Sequence, residues 1–155
     1  MQDRKAVICS LEESRQELVA LAKSLTSEQL QLPTENEGWS VKDTLAHVAS
    51  SEGGLLATVN RILGGQVATR PGFDLNAYNQ QQVEKRRDRG VDELLAELDA
   101  SRPEALKRFG ELTDEQLATR GNMASGTPID VISVFQRIGD HERLHCDQIR
   151  KAIGK

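Results

Sequence analysis

The placement of three histidines limits what this chain can fold into. His141 and His145 stand four residues apart in DHERLHCDQIRKAI, residues 140–153, and the third, His47, lies far upstream in DTLAHVASSE. On a helix the four-residue spacing puts both imidazoles on one face about one turn apart, as a pair of metal ligands requires. Two start signals fix where the helices begin. Ser40 reads as an N-cap with Asp43 three residues on, and Thr127-Pro128-Ile129-Asp130 reads as an N-cap, a proline at the first helical position and an acid at the third. Counted from those caps, His47 is seven residues into its helix, and the pair are fourteen and eighteen residues into theirs. At ~100° per residue the three fall within about 40° of one another. At ~1.5 Å per residue they sit about 10 Å and about 21–27 Å from their helix starts, heights that coincide only if the two helices run antiparallel. A three-histidine cluster is therefore a claim about topology.

The rest of the sequence supplies the other helices. Val7, Ile8, Leu11, Leu18, Leu21, Ala22 and Leu25 recur at threes and fours over about Asp3–Leu25, the first amphipathic helix, which ends before Pro33 and TENEG. The second runs from Ser40 through Leu45, Val48, Leu55, Leu56, Val59 and Ile62 to Gly64-Gly65, with Trp39 expected to staple against an apolar residue of its first turn. GGQVATRPGF, residues 64–73, is long enough to cross a bundle end. A third helical region begins near Asp74, breaks around Gly90 and continues to about Gly110, with Pro103 expected to kink or split it. The last helix is expected over about Pro128–Ile153. LTSEQL from Leu25 and LTDEQL from Leu112 share an offset of 87 residues with the two caps, which suggests two helix-connection-helix halves.

The 155 residues are 28% charged and 37% hydrophobic with only 3% aromatic, a balance that favours packed helices over a sheet sandwich in a single domain over residues 1–155. A net charge of −4 gives no footprint for nucleic acid, and the run Lys85-Arg86-Arg87 reads as a solvated helix face. Neither a signal peptide nor an apolar run of membrane-spanning length is present, so a cytoplasmic protein with no membrane partner is expected. Cys9 and Cys146 are too few for a disulfide framework, and both are expected to be small core residues.

Each histidine has a plain structural reading beside the chemical one: an H-x-x-x-H pair as helix-surface chemistry, His47 as a satisfied core residue. If they converge, three neutral imidazoles leave room for a further ligand, as in a catalytic site, and suit Zn²⁺ or Ni²⁺ equally. The stretches WSVKDTLAHV, with Trp39, Ser40 and His47, and DHERLHCDQI, with His141 and His145, resemble the DinB/YfiT-like superfamily of metal-dependent enzymes over nearly the whole chain. DLNAYNQQQVEKRRDRGVDELLAEL further resembles the branch that includes the N-terminal domain of mycothiol-dependent maleylpyruvate isomerase. The resemblance implies an all-α four-helix bundle of up-down-down-up topology, with a long crossover between the second and third helices. It also implies a divalent metal on His47, His141 and His145, and a low-molecular-weight thiol as co-substrate. A homodimer is the family expectation.

Around those ligands, Glu52, one turn beyond His47, is the acid/base candidate. Arg137, one turn before His141, is the candidate for binding an anionic substrate group. Glu142 and Asp140 are candidates to accept a ring N–H of His141. The expected function is a thiol-dependent S-transferase or isomerase, or a hydrolase, acting on a small electrophile. The alternative is a non-catalytic stress-response protein that binds a metal or small molecule.

Overall fold

The computed structural model describes residues 3–123 and 125–155. Four long helices carry the fold: α1 (Arg4–Ser24), α3 (Val41–Leu63), α5 (Val91–Glu111) and α7 (Val131–Ala152). Between them lie the short helices α2 (Ser27–Leu30) and α6 (Asp114–Leu117), the 11-residue α4 (Leu75–Lys85), and a small antiparallel pair, β1 (Arg120–Asn122) with β2 (Pro128–Asp130). No helix among the described residues is long and apolar enough to cross a membrane.

The start signals in the sequence do most of what they should. Ser40 accepts from the Asp43 N–H while the Asp43 carboxylate accepts from the Ser40 N–H, so α3 opens on a reciprocal box. LTSEQL and LTDEQL fold alike, each as a single turn opened by a threonine and closed back by a glutamine, Thr26 with Gln29 and Thr113 with Gln116. The half-repeat ends there. Residues 128–130 are strand, and α7 begins only at Val131, capped by Asp130 accepting from the Ser133 N–H. Thr127 is not the cap because the residues after it are strand: Pro128 sits opposite Asn122 in the pair, and the Thr127 hydroxyl accepts from Ser125 instead.

Pro103 does not split α5, which is continuous through it. Its neighbours Arg102 and Ala105 are buried against other helices, and that packing offsets the hydrogen bond a proline removes. The break expected near Gly90 is present: α4 ends at Lys85, and Gly90 is the N-cap of α5, its N–H donating to Glu93. Of the basic run, only Arg86 enters an ion pair among the described residues, forked onto Glu97 so that α4 is tied to α5. Cys9 is exposed rather than in the core, because Val7 and Leu11 turn that face of α1 inward and leave the residue midway between them outside.

Two apolar clusters fill the bundle. One gathers the beginnings of α1 (Val7, Leu11) and α7 (Val134, Phe135) with the ends of α3 (Val59, Ile62) and α5 (Phe109). The other gathers the opposite ends, with Leu18 and Leu21, Leu45 and Val48, Leu94 and Leu98, and Cys146 and Ile149. Helices α3 and α7 therefore run antiparallel, the relation the three histidines need. At the first cluster β1 crosses close over α3: a Cβ on Gly121 would stand 2.7 Å from Cγ1 of Ile62, so only glycine fits there.

Candidate metal centre

Starting α7 at Val131 shifts the helical count by three residues but leaves the geometry intact. From Asp130, His141 and His145 are about 17 and 23 Å along the helix and about 40° and 80° from the azimuth of His47, still within one turn of it across an antiparallel neighbour. The side chains meet. Nε2 of His141 lies 3.0 Å from Nε2 of His47 and 2.9 Å from Nε2 of His145. The three rings stand edge to face, with centroids 4.4–4.9 Å apart.

Three neutral imidazoles that present the same nitrogen to one point cannot all be satisfied at once, because a single Nε2–H on one of them leaves a further lone pair unmatched. His145 shows which nitrogen carries the proton: its Nδ1 lies 2.7 Å from Oε1 of Gln148, an oxygen that also accepts from Nδ2 of Asn36 at 2.9 Å. Nδ1 of His145 is thus the donor, and its Nε2 keeps a lone pair. His47 is held by the indole of Trp39, 5.0 Å between ring centroids, and Trp39 is anchored by donating Nε1–H to Gln80 at 2.8 Å. From sequence Trp39 is expected to staple against the first turn of its helix; in the structure its face covers His47, farther along α3, and its indole N–H bonds Gln80 of α4. The buried Nδ1 of His47 has no hydrogen-bond partner among the described residues.

Burial, and after it the neighbouring His145, pushes His47 down to about 4. Burial pushes His141 down to about 3, reinforced by His145, His47 and Arg137. His145 is lowered by burial against the opposing pull of its bond to Gln148. All three are neutral at pH 7, the form that ligates. Nitrogens about 2.0–2.1 Å from a common ion, at tetrahedral or right angles, would be about 2.9–3.4 Å apart. The two close Nε2 distances fall in that range, and all three ligand atoms lie within 4.8 Å of one another. The donor set fits a divalent late first-row ion, with no protein carboxylate or thiolate in the cluster.

His47 and His141 open onto a cleft of about 630 Å³, walled by Leu55, Phe73, Tyr78 and Met123 and rimmed by Arg61, Arg70 and Arg137. His145 lies behind them, outside the lining. Arg137 is where its spacing from His141 put it, on the cleft and exposed.

Glu52 is elsewhere. Its carboxylate, 2% exposed, accepts from Arg102 at 2.8 Å, from Arg15 at 2.6 Å and from Ser101 at 2.6 Å, and it does not line the cleft. Burial alone would raise this carboxyl, but Arg102, Arg15 and the Ser101 hydroxyl outweigh it and hold the group below its ordinary range. Glu142 likewise turns away from His141 into the same cluster, accepting from Ser14, Arg15 and Arg102, while Asp140 lies 3.7 Å from Arg143. Cys146 is fully buried, and its thiol is pushed up to about 12, by burial first and then by Glu17.

Sequence reasoning missed this cluster. Arg15, Glu52, Arg102 and Glu142 come one from each of α1, α3, α5 and α7 and lock the four helices together. The arginines also donate to main-chain carbonyls, Arg15 to Leu98 and Arg102 to Leu11. The signal was present, since each charge stands in an apolar stripe, as Arg15 does among Leu11, Leu18 and Ala22. Gln148 was also missed, although it lies one turn beyond His145.

A helical bundle with three histidines converging beside a cleft defines a class of bundle with a candidate metal site. The DinB superfamily model matches residues 10–149, and the chain belongs to that superfamily. Among solved structures it is similar to YfiT from Bacillus subtilis, described as a probable metal-dependent hydrolase with an unusual four-helix bundle topology. That pair has a TM-score of 0.77 at 20% identity, covering 97% of this chain and 87% of YfiT. It is also similar to the mycothiol-dependent maleylpyruvate isomerase, with a TM-score of 0.78 at 11% identity over 96% of this chain, which spans 61% of the isomerase's length. An uncharacterised protein from Escherichia coli UTI89 matches with a TM-score of 0.77 at 14% identity, covering 99% of this chain and 94% of that one. No protein of curated function matches the sequence.

Proposed function

We propose that this protein is a metal-dependent enzyme that acts on a small electrophile in the cleft, with His47, His141 and His145 holding Zn²⁺ or Ni²⁺. The observation that carries the reading is the convergence of three Nε2 atoms, two of the rings belonging to the cleft wall. A bound divalent ion supplies Lewis acidity, lowering the pKa of water or of a thiol toward neutrality. The protein's part is to keep the three imidazoles neutral by burial, to fix the tautomer of His145 through Gln148, and to brace His47 with Trp39. Glu52 and Glu142 have no acid/base part in this reading. Their carboxylates are saturated by arginines, and a proton donor or acceptor has to come from the cleft or from the substrate.

Transfer of a low-molecular-weight thiol is the preferred reaction, supported by the structural likeness to the mycothiol-dependent isomerase; hydrolysis is the second reading, supported by the likeness to YfiT. The test is direct. Protein purified without a histidine tag is loaded with Zn²⁺ or Ni²⁺ and incubated with mycothiol, bacillithiol or glutathione and a reactive electrophile. Thiol consumption that requires both metal and His47 supports transfer. Conversion without thiol supports hydrolysis, and no stoichiometric metal after reconstitution would sink both.

A further inference from the structure

We infer that the cleft selects an organic oxyanion, a carboxylate or phosphate ester on an apolar body, and that Arg137 and Arg70 are its specificity-determining residues. This rests on reading the cleft as the substrate site and goes beyond the reaction to the chemistry of the substrate. The protein carries a net charge of −4, yet three arginines and no aspartate or glutamate line this cleft. They come from three separate segments. Arg61 is in the last turn of α3, Arg70 in the crossover between α3 and α4, and Arg137 on α7 one turn before His141. No single helix face accounts for them.

Their partners, or lack of them, separate these arginines from the structural ones. Arg15, Arg86 and Arg102 are each paired with glutamate. Neither Arg70 nor Arg137 enters an ion pair among the described residues, and both are exposed on the cleft. Arg61 is held in place by donating Nε–H to the Val67 carbonyl at 2.9 Å, which leaves its two terminal nitrogens available.

Among the neutral groups on the wall, Thr69, Tyr78 and Asn79 can add donors, but the serines beside His47 and Thr58 do not. Ser50 and Ser51 donate their hydroxyls to the His47 carbonyl, and Thr58 donates to that of Gly54, so what they turn outward are acceptor lone pairs. The charged donors an anion needs come from the guanidiniums, whose planar fork matches a carboxylate or phosphate. The body of the ligand faces Leu55, Phe73, Leu75 and Met123, with Phe73 and Leu75 exposed at 41% and 57%. Large apolar side chains left in water at a basic mouth suit an amphipathic anion better than a free inorganic one.

The test uses the full-length, metal-free protein with chelator present, so that it is readable whether or not the metal reading holds. Phenylsuccinate, its neutral diamide and phenyl phosphate are titrated by calorimetry, with the arginine Nε–Hε signals followed by NMR. At least one of the two anions is expected to bind about tenfold or more tightly than the diamide, with affinity falling as salt rises; the stronger of the two names the anion. Arg137→Met and Arg70→Met are each expected to weaken it about tenfold, with unchanged circular dichroism. Equal binding of the diamide, no binding of either anion at millimolar concentration, or full affinity in both variants overturns the proposal. A protein that loads metal but fails this discrimination loses only the anion reading, and one that discriminates but loads no metal loses only the metal reading.

Discussion

Two polar clusters interrupt the apolar bundle of this protein, and they follow opposite rules. In the four-helix cluster two arginines meet two glutamates, every carboxylate is bonded, and the spare guanidinium protons reach main-chain carbonyls. In the histidine cluster three bases of the same kind turn the same ring nitrogen to one point, and the buried Nδ1 of His47 has no partner among the described residues. The first is complete within the protein. The second is not complete among the described residues. Depth overlaps, with His47 and His145 at 6% exposed like Arg102 at 6% and only His141 half-buried, so the difference is in chemistry more than in depth. A saturated cluster works as scaffold, whereas an unsaturated one beside a cleft works as a site.

The sharpest way to break this distinction is to remove one member of the ionic cluster. Glu142→Gln leaves Arg15 and Arg102 sharing only Glu52, and the expected cost is about 3–5 kcal/mol because a buried charge is left uncompensated. Urea denaturation checks it as a lower midpoint at unchanged slope. A loss below about 1 kcal/mol would mean that water relieves the cluster and that it is not scaffold at all.

Acid separates the clusters next, because both lose stability as pH falls but in different pH windows. Unfolded imidazoles take up protons below about pH 6.5, whereas folded His47 and His141 resist until about 4 and 3. Between those limits the unfolded state binds more protons, so the metal-free protein loses stability as pH falls from 6.5 toward 4, by on the order of a few kcal/mol. Glu52 acts lower. Its pKa is depressed, so its contribution is present above the ordinary carboxylate range and is lost as pH falls through the lower folded value. Thermal melts of metal-free protein from pH 7 to 4 should decline in the histidine window, and the decline should flatten in a His47→Leu/His141→Leu double variant. An unchanged profile in that variant would break the assignment.

How far these clusters could be read from sequence follows the same division. The histidines were legible because a four-residue spacing and a helix cap determine face and height without knowledge of the packing. Even the misplaced start of α7 moved them by less than one turn of helix. The ionic cluster was not, since Arg15 pairing with Glu142 depends on how four helices rotate against each other, and each residue alone looks like an ordinary surface charge. What could have been noticed is that Arg15, Glu52, Arg102 and Glu142 each stand in an apolar stripe and sum to zero charge. The β1–β2 hairpin was lost to a specific ambiguity: Pro128 suits the first turn of a helix as well as an edge strand, and only the Asp130 cap decides between them.

The supporting residues of the histidine cluster give a smaller effect. Gln148→Leu removes the acceptor that orients His145 and fixes its tautomer, and also the partner of Asn36. Metal affinity is expected to fall about 10–100-fold, the usual consequence of losing such a partner. Competition with a chromophoric chelator measures it. Trp39, the sole tryptophan and in contact with His47, gives an independent fluorescence reading of metal loading. Wild-type affinity in Gln148→Leu would mean that packing alone holds the ring.

The smallest expected effect is the most discriminating. His141→Leu, in metal-free protein, replaces a half-buried base that faces two like groups with an apolar side chain of similar size. If the cluster is unsaturated, that exchange removes desolvated lone pairs without orphaning a matched partner, and stability at pH 7 should change by less than about 1 kcal/mol in either direction. The same variant should lose stoichiometric metal. A scaffold role predicts the reverse, a large loss of stability at pH 7, as in Glu142→Gln. Equilibrium unfolding of the metal-free variant beside metal analysis of the reconstituted one separates the two, because a histidine kept for structure and a histidine kept for a ligand differ in what remains when no ligand is bound.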